Sequence, residues 1–582
     1  MYVATFVSRG LNFGGNGRYE REMDVEKTSS SLMPKEEKAV IVPGNGVGKF
    51  LIREDTILAG LPGCAGCGRT QLTCAGVKKQ WSALCWGKQS DKKYYTMLVI
   101  LSATFALSFI GTIFFCFTNT LNDAILSNMV IKNNTLAYSM WRRPSVQPLM
   151  KVHVFNYTNW ERVRSGLDEK LIVQDVGPFI YSQQIERVNI RFQGDQLTFQ
   201  ERNNFRFRPE KSGAAHFDQI YVPNLPLLGV IANVLHLPTL GQITVQSTLN
   251  FADHNEAFLK LPAQRFLWGY DDRIMDLARP FLSIGAQFRY DKFGLLVSKN
   301  GTVSDRITIN TGEKDKDKMN IIEKFNGDVT LSYWGSSECN SITSSDGTIF
   351  PPSLLDKKTT LYVFNSNMCR RLPFDYLKDV EMEQGIRLMR YGLPSNVFDD
   401  PQSNPDNQCY CDVDSGTCPP RGIINITACS MGAPLVASFP HFYRGDPKLR
   451  EDIQGLTPDG NLHDSFIDIH PTLGIALNGR SSLQLNIQVR KSGVFGALSF
   501  LPEGIILPVA WIEMALEELP ESLQSLVYHG TFSTAAVQLG LAMFCSITLL
   551  ISSICMLIMI ITRRRKPCAT LKIIPAEIEM KT

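Results

Sequence analysis

The 582-residue chain has no excess of charge of either sign, with 59 Lys and Arg against 56 Asp and Glu, a net of +3. That balance excludes recognition of nucleic acid by bulk charge. Catalytic signatures are missing too: there is no G-x-S-x-G elbow, H-E-x-x-H pair, phosphate-cradling loop or dinucleotide fingerprint. The histidines (His153, His216, His236, His254, His441, His463, His470 and His529) form no metal-ligand spacing. His463 and His470 come nearest, but acidic and apolar residues separate them over seven positions. No catalysis, metal or cofactor is therefore expected. Long internal repeats are also lacking, and a 44% hydrophobic, 20% charged composition does not fit a disordered chain.

What is present is two long runs almost free of charge. Residues 97–117 read MLVILSATFALSFIGTIFFCF, and 535–561 is interrupted only by Gln538 and a few Ser and Thr. At about 1.5 Å per helical residue, each spans the roughly 30 Å hydrocarbon core. The first lies too far into the chain for a cleaved leader and is read as a signal anchor. Lys88, Lys92 and Lys93 precede it, and Arg563, Arg564, Arg565 and Lys566 follow the second, so both ends are expected in the cytosol. The segments are then a cytosolic tail (1–96), largely disordered, a span (97–117), an ectodomain (118–534), a span (535–561) and a cytosolic tail (562–582). All four N-x-S/T acceptors, Asn133, Asn156, Asn300 and Asn425, fall in the middle segment. The spans carry no ionisable side chain, which argues against an ion channel.

Cysteines sort the same way. Cys339, Cys369, Cys409, Cys411, Cys418 and Cys429 lie between the spans, where disulfides are the default and six cysteines allow about fifteen pairings. Cys64, Cys67, Cys74 and Cys85 are too irregularly spaced for zinc. Cys85 and Cys568 flank the spans and are candidates for palmitoylation.

Within the middle segment, Met150–Tyr157, Ile185–Phe192, Leu361–Phe364 and Leu483–Val489 alternate as strands do, and Ile307–Gly312 and Phe325–Gly327 read as turn-bounded hairpin pieces. Helical signal concentrates between Asn224 and Trp268. Its run from Leu225 to Leu235 is nearly all apolar, which suits a core helix or an exposed contact surface.

A series of fragments gives these segments an order. It includes Phe155-Asn156-Tyr157-Thr158-Asn159, Asp175-Val176-Gly177-Pro178-Phe179-Ile180-Tyr181, Leu267-Trp268-Gly269-Tyr270, Asn310-Thr311-Gly312 and Leu331-Ser332-Tyr333-Trp334. Phe350-Pro351-Pro352, Asn404-Pro405-Asp406-Asn407, Pro440-His441-Phe442, Gly455-Leu456-x-Pro458 and Asp468-Ile469-His470-Pro471-Thr472-Leu473-Gly474 complete it. In this order they resemble the class B scavenger receptor family, which includes the fatty-acid translocase, the high-density-lipoprotein receptor, lysosomal integral membrane protein and insect sensory neuron membrane proteins.

The resemblance implies an α+β membrane protein: an antiparallel β-barrel core, an apical helical bundle at about 224–268 and a hydrophobic tunnel toward the membrane. It implies the pairing Cys339–Cys409, Cys369–Cys429 and Cys411–Cys418. It makes Leu227, Leu228, Val230, Ile231, Val234 and Leu235 the expected apical contact residues, and lipids, lipoproteins or an apical protein ligand the expected partners, with a homo-oligomer also open. The implied role is a non-catalytic receptor and lipid transporter of the plasma membrane. A trafficking receptor of the lysosomal or endosomal membrane is the alternative, although Ala569 stands where an acidic dileucine signal ending in Ile573-Ile574 needs an acid. Departures are the absence of lysine from Leu235–Leu259, with Lys260 just beyond as a helix residue, Asp175 in place of the usual Glu, and His470-Pro471 in place of Glu-Pro. His236 and His254 open the possibility of pH-dependent release in that region.

Overall fold

The computed structural model describes residues 91–564 except 119, 251–255, 277–290, 383–384, 412–416, 431 and 517–518. Cys64, Cys67, Cys74, Cys85, Cys568 and His254 lie outside the described residues. The described chain divides into two compact units, one holding 110–546 and the other 91–109 with 547–564.

The first apolar run is a helix, Asp91–Phe117, and the second lies in a continuous helical stretch, Leu523–Arg564. With no charge to solvate and no break in backbone hydrogen bonding, both suit a hydrocarbon environment. Small polar residues let the two helices meet. Ser108 Oγ lies 2.9 Å from Thr548 Oγ1 within one unit. Within the other, a Cβ on Gly111 would sit 2.7 Å from Cys545 Sγ, so a side chain there would displace that thiol.

Between them stands a β-rich body. Its strands are β1 (Leu149–Tyr157), β2 (Leu171–Gln193), β3 (Gln196–Phe207), β4 (Gln219–Pro223), β5 (Phe258–Pro262), β6 (Gly301–Thr302), β7 (Ile307–Asn310), β8 (Ile322–Phe325) and β9 (Leu361–Asn365). They continue as β10 (Arg370–Glu381), β11 (Arg387–Gly392), β12 (Ile423–Asn425), β13 (Leu435–Ser438), β14 (Ile453–Gln454), β15 (Phe466–Ile469), β16 (Ala476–Gln488) and β17 (Ile506–Ala515).

The main sheet runs β8-β7-β3-β2-β1-β17-β16-β15-β11-β10-β9, and each neighbouring pair on that path is antiparallel. Its edges converge on Ser345, which bridges Ile321, just before β8, and Val363 of β9. The sheet is thus a nearly closed barrel, which removes most of the unpaired edge that an open sheet exposes. Beside the central strand β17 lies β1, where the expected alternation of Met150–Tyr157 is realised. Met150, Val152, Val154, Phe155 and Tyr157 are buried in the larger core, while Lys151, His153 and Asn156 are half-buried. A bulge between Val152 and Val154 breaks the register opposite β2.

Two glycines of the recurring fragments are fixed by close backbone approach. A Cβ on Gly177 would sit 2.8 Å from Val152 O, and one on Gly474, at φ 68°, would overlap the Phe350 carbonyl.

The region expected to be helical is only partly so. Helices Leu225–Val234, Thr239–Leu249 and Ala263–Trp268 are present, but Phe258–Pro262 is β5, paired antiparallel with β4. Phe258, Leu259 and Leu261 bury their side chains while Lys260 stays outside, a pattern a strand satisfies in five residues. Lys260 is therefore a strand residue, with its ammonium 5.4 Å from the centre of the Tyr221 ring, and not a helical one.

Candidate functional site

The helix pair Leu225–Val234 and Thr239–Leu249 is the first candidate surface. Asn224 caps the first helix, its Oδ1 accepting from Leu227 N at 3.1 Å, and Pro226 sits in the first turn, where no helical N–H is needed. Leu227, Leu228 and Ile231 are fully buried, and Val230, Val234 and Leu235 are half-buried against the same core. Burial thereby removes Leu227, Leu228 and Ile231 from the expected contact set. A helix apolar on all sides turns its leucines inward wherever a core is available.

Exposed apolar surface lies instead on the second helix. Leu240 is 76% exposed and Ile243 47% exposed, three residues apart on one face. Around them the hydroxyls of Thr244, Ser247 and Thr248 donate to Leu240 O, Ile243 O and Thr244 O, so their hydrogens are committed to the helix backbone. From Asn224 to Asn250 there is no Asp, Glu, Lys or Arg. Gln242 anchors the helix, donating to Leu235 O and Leu237 O and accepting from Ser492 Oγ at 2.7 Å. The outcome is a neutral, greasy helical face on a fixed base. The signal was present in the sequence as Leu240 and Ile243 set among hydroxyl residues.

The second feature is a disulfide knot. Cys339 is joined to Cys409, Cys369 to Cys429 and Cys411 to Cys418. Trp334 packs at the centre, donating from Nε1 to Cys369 O at 2.6 Å and meeting the Tyr410 ring edge-on at 5.1 Å. Asn407 supports the loop from inside by donating to Val397 O and Asp399 O.

The third is a buried polar cluster that sequence reading missed. Asp175 on β2 accepts from His153 Nδ1 at 2.8 Å, His441 Nε2 at 3.0 Å and Trp511 Nε1 at 2.9 Å. Burial drives this carboxyl up, but the hydrogen bonds from His153 and His441, the His153 charge and the Trp511 bond outweigh it and hold it well below the usual range. His463 stacks on His441 at 4.9 Å. His470 stands apart with Thr531, so the two histidines considered for a metal are not brought together. Among the described residues no three His, Cys, Asp or Glu converge as metal ligands.

Of the glycosylation candidates, Asn133 and Asn300 are exposed, whereas Asn156 and Asn425 are half-buried. The side-chain oxygens of the latter pair accept from Tyr221 N and Thr427 N. His236 is exposed.

Two apolar spans bracketing a disulfide-bonded, nearly closed barrel define a membrane protein with a large folded domain between its anchors. A family model described as the CD36 family matches residues 100–562. Scavenger receptor class B member 1 of Bos taurus is 31% identical over 420 residues, covering 70% of this chain and 80% of that protein. Lysosome membrane protein 2 of Homo sapiens is 32% identical over 379 residues, covering 64% and 76% respectively. The chain belongs to the CD36 family.

Proposed function

We propose that the protein is a non-catalytic receptor that takes up lipid, or lipid carried by lipoprotein, and passes it through the ectodomain to the bilayer. The observation that carries this reading is the uncharged helical face bearing Leu240 and Ile243 on a CD36-family barrel. Such a face suits a particle coat of acyl and sterol groups, and the lack of lysine in that helix pair speaks against an anionic ligand. Transfer of each CH₂ from water to an apolar path gains about 0.8 kcal/mol, so an acyl chain of about sixteen carbons gains on the order of 10 kcal/mol before ordering costs. Such a path moves cargo without any reaction, which fits the absence of catalytic motifs.

The plasma membrane, with both tails cytosolic, is the location that goes with uptake. A lysosomal trafficking receptor is the second reading, favoured by the similar identity to Lysosome membrane protein 2. Cells expressing the full chain are expected to take up labelled sterol ester or fatty acid above mock-transfected cells. Uptake equal to mock, with the protein held in lysosomes, would replace the first reading by the second.

A further inference from the structure

The two apolar helices meet at the end from which both tails leave. Arg563 Nη2 lies 3.5 Å from Asp91 Oδ1 and 3.4 Å from the Tyr95 hydroxyl, and its guanidinium sits 4.2 Å from the centre of the Tyr94 ring. All four residues belong to one compact unit. Asp91, Tyr94 and Tyr95 are spaced by three and four on the helix Asp91–Phe117, so one face of it is turned to the second helix. Lys92 and Lys93 therefore fall on its other faces, and Arg564 follows Arg563 round the second helix. All three are exposed, and none has an ion-pair partner among the described residues. Asp91 neutralises little, because its side chain is 88% exposed. The neighbouring sequence adds cations and no acid: Asp91 is the only acid from Leu72 to Thr96, none occurs from Thr562 to Ala576, and Lys88, Arg565 and Lys566 add to the same charge. Each tail as a whole is basic, by +5 over 1–96 and +4 over 562–582, so their other acids do not cancel it.

We propose that this collar of cations is a binding surface for anionic phospholipid in the leaflet on the side of the tails. Depth supports lipid over a soluble partner. Lys92 and Lys93 precede Met97 by five and four residues, and Arg564 follows Ile561 by three. At about 1.5 Å per residue, the three charges stand roughly 4–8 Å outside the hydrocarbon core. That is the thickness of the headgroup layer, about 5–7 Å on each side, where lipid phosphates lie. Tyr94 and Tyr95 suit the same layer, in which aromatic rings collect. A zwitterionic headgroup brings its own cation and leaves the collar uncompensated, whereas a headgroup of net negative charge compensates it. Lipid held there would fix the depth of the helix pair in the bilayer. This inference rests on the two spans and not on the lipid-uptake reading.

The test reconstitutes the full chain in phosphatidylcholine vesicles with a trace of spin-labelled phosphatidylserine or spin-labelled phosphatidylcholine, and reads the motionally restricted fraction of each. Phosphatidylserine is expected to associate about fivefold more strongly, the effect of one basic residue at the surface. The preference is expected to fall away at about 1 M salt, where charges are screened within a few ångströms. Lys92→Gln, Lys93→Gln and Arg564→Gln together are expected to remove most of it. Should that variant fail to fold, the single substitutions Lys92→Gln and Arg564→Gln decide, each expected to lower the preference. Soluble glycerophosphoserine at matched ionic strength is expected not to compete, and competition by it would make this a site for a free headgroup and overturn the lipid assignment. Equal association of the two lipids, or a preference that the variants keep, also overturns it.

Discussion

His441 donates from Nε2 to Asp175 Oδ2 at 3.0 Å across 266 residues of sequence. The hydrogen-bond pattern assigns this tautomer, since Nδ1 accepts from Thr457 N at 3.1 Å and so carries no proton. The segment that follows β13 is thereby pinned against β2, and Trp511 and His153 bring β17 and β1 to the same carboxylate. One acid thus holds four elements together.

Removing that acid leaves its three donors facing a void. Asp175→Ala is expected to lower stability by about 3 kcal/mol, the cost of unpartnered buried polar groups. Asp175→Asn should recover part of it, because one amide oxygen can still accept. Denaturant unfolding of the solubilised full chain checks both, and a loss within the error of the measurement would show the cluster to be incidental.

Acid should act through the histidines before it reaches this carboxylate. Burial lowers His470 to about 4, and burial together with His441 lowers His463 to about 4. His470 Nδ1 accepts from Thr472 N and Leu473 N, so protonation there would set donor against donor. As pH falls from the ordinary histidine value of about 6.5, the unfolded chain takes up these protons and the native chain does not. Native stability therefore declines between about 6.5 and 4, by about 2 kcal/mol per ring, and levels off below. Asp175 has the same sign in a lower window: its native value is also depressed, so its contribution is complete above the usual carboxylate range and is lost as pH drops from there through its lower native value. His470→Asn keeps an acceptor for the two N–H groups without a titrating ring. A pH series of unfolding midpoints should be flatter in that variant, and an unchanged slope would refute the assignment.

These relationships mark the boundary of what the sequence made legible. Alternation in Met150–Tyr157 identified β1 because one face of it packs into the core. The 23-residue β2 was seen only through Ile185–Phe192, since its other half is buried on a different rhythm. β5 went unseen because its register is set by β4, more than thirty residues away, and not by its own propensities. The Leu225–Leu235 run announced burial or contact but could not rank its leucines, as an all-apolar helix has no periodicity to orient it. The pairing of cysteines came with the family resemblance, because six residues alone leave every combination open. The Asp175 cluster was invisible, for nothing local links residues 153, 175, 441 and 511.

The helix pair separates a packing leucine from a contact leucine. Leu228, fully buried, should behave as core, and Leu228→Ala is expected to cost about 3 kcal/mol and reduce surface expression. Leu240→Asp and Ile243→Asp sit on exposed positions and should leave the unfolding midpoint within about 0.5 kcal/mol of the parent. If that face carries lipid or lipoprotein, each should weaken binding about tenfold, the equivalent of one apolar side chain left in water. Binding measured alongside expression distinguishes the two, and aspartate variants that bind normally would move the contact surface elsewhere.

The three disulfides should differ in weight according to the loops they close. Cys339–Cys409 spans 70 residues and Cys411–Cys418 only 7. Loop-closure entropy grows with the logarithm of length, so the long bridge is expected to contribute about 4 kcal/mol and the short one about 2.5 kcal/mol. The knot sharpens the contrast: Cys339 is buried beside Trp334, so replacing that pair by alanine also loosens packing around the Tyr410 ring. The Cys339/Cys409 double alanine variant should therefore be retained before reaching the cell surface, and the Cys411/Cys418 variant should reach it with a modestly lowered unfolding midpoint. Glycan maturation and surface labelling read the first effect, and unfolding of the solubilised protein reads the second. Equal losses from the two variants would mean that the native contacts of the knot, and not restriction of the unfolded chain, supply its stabilisation.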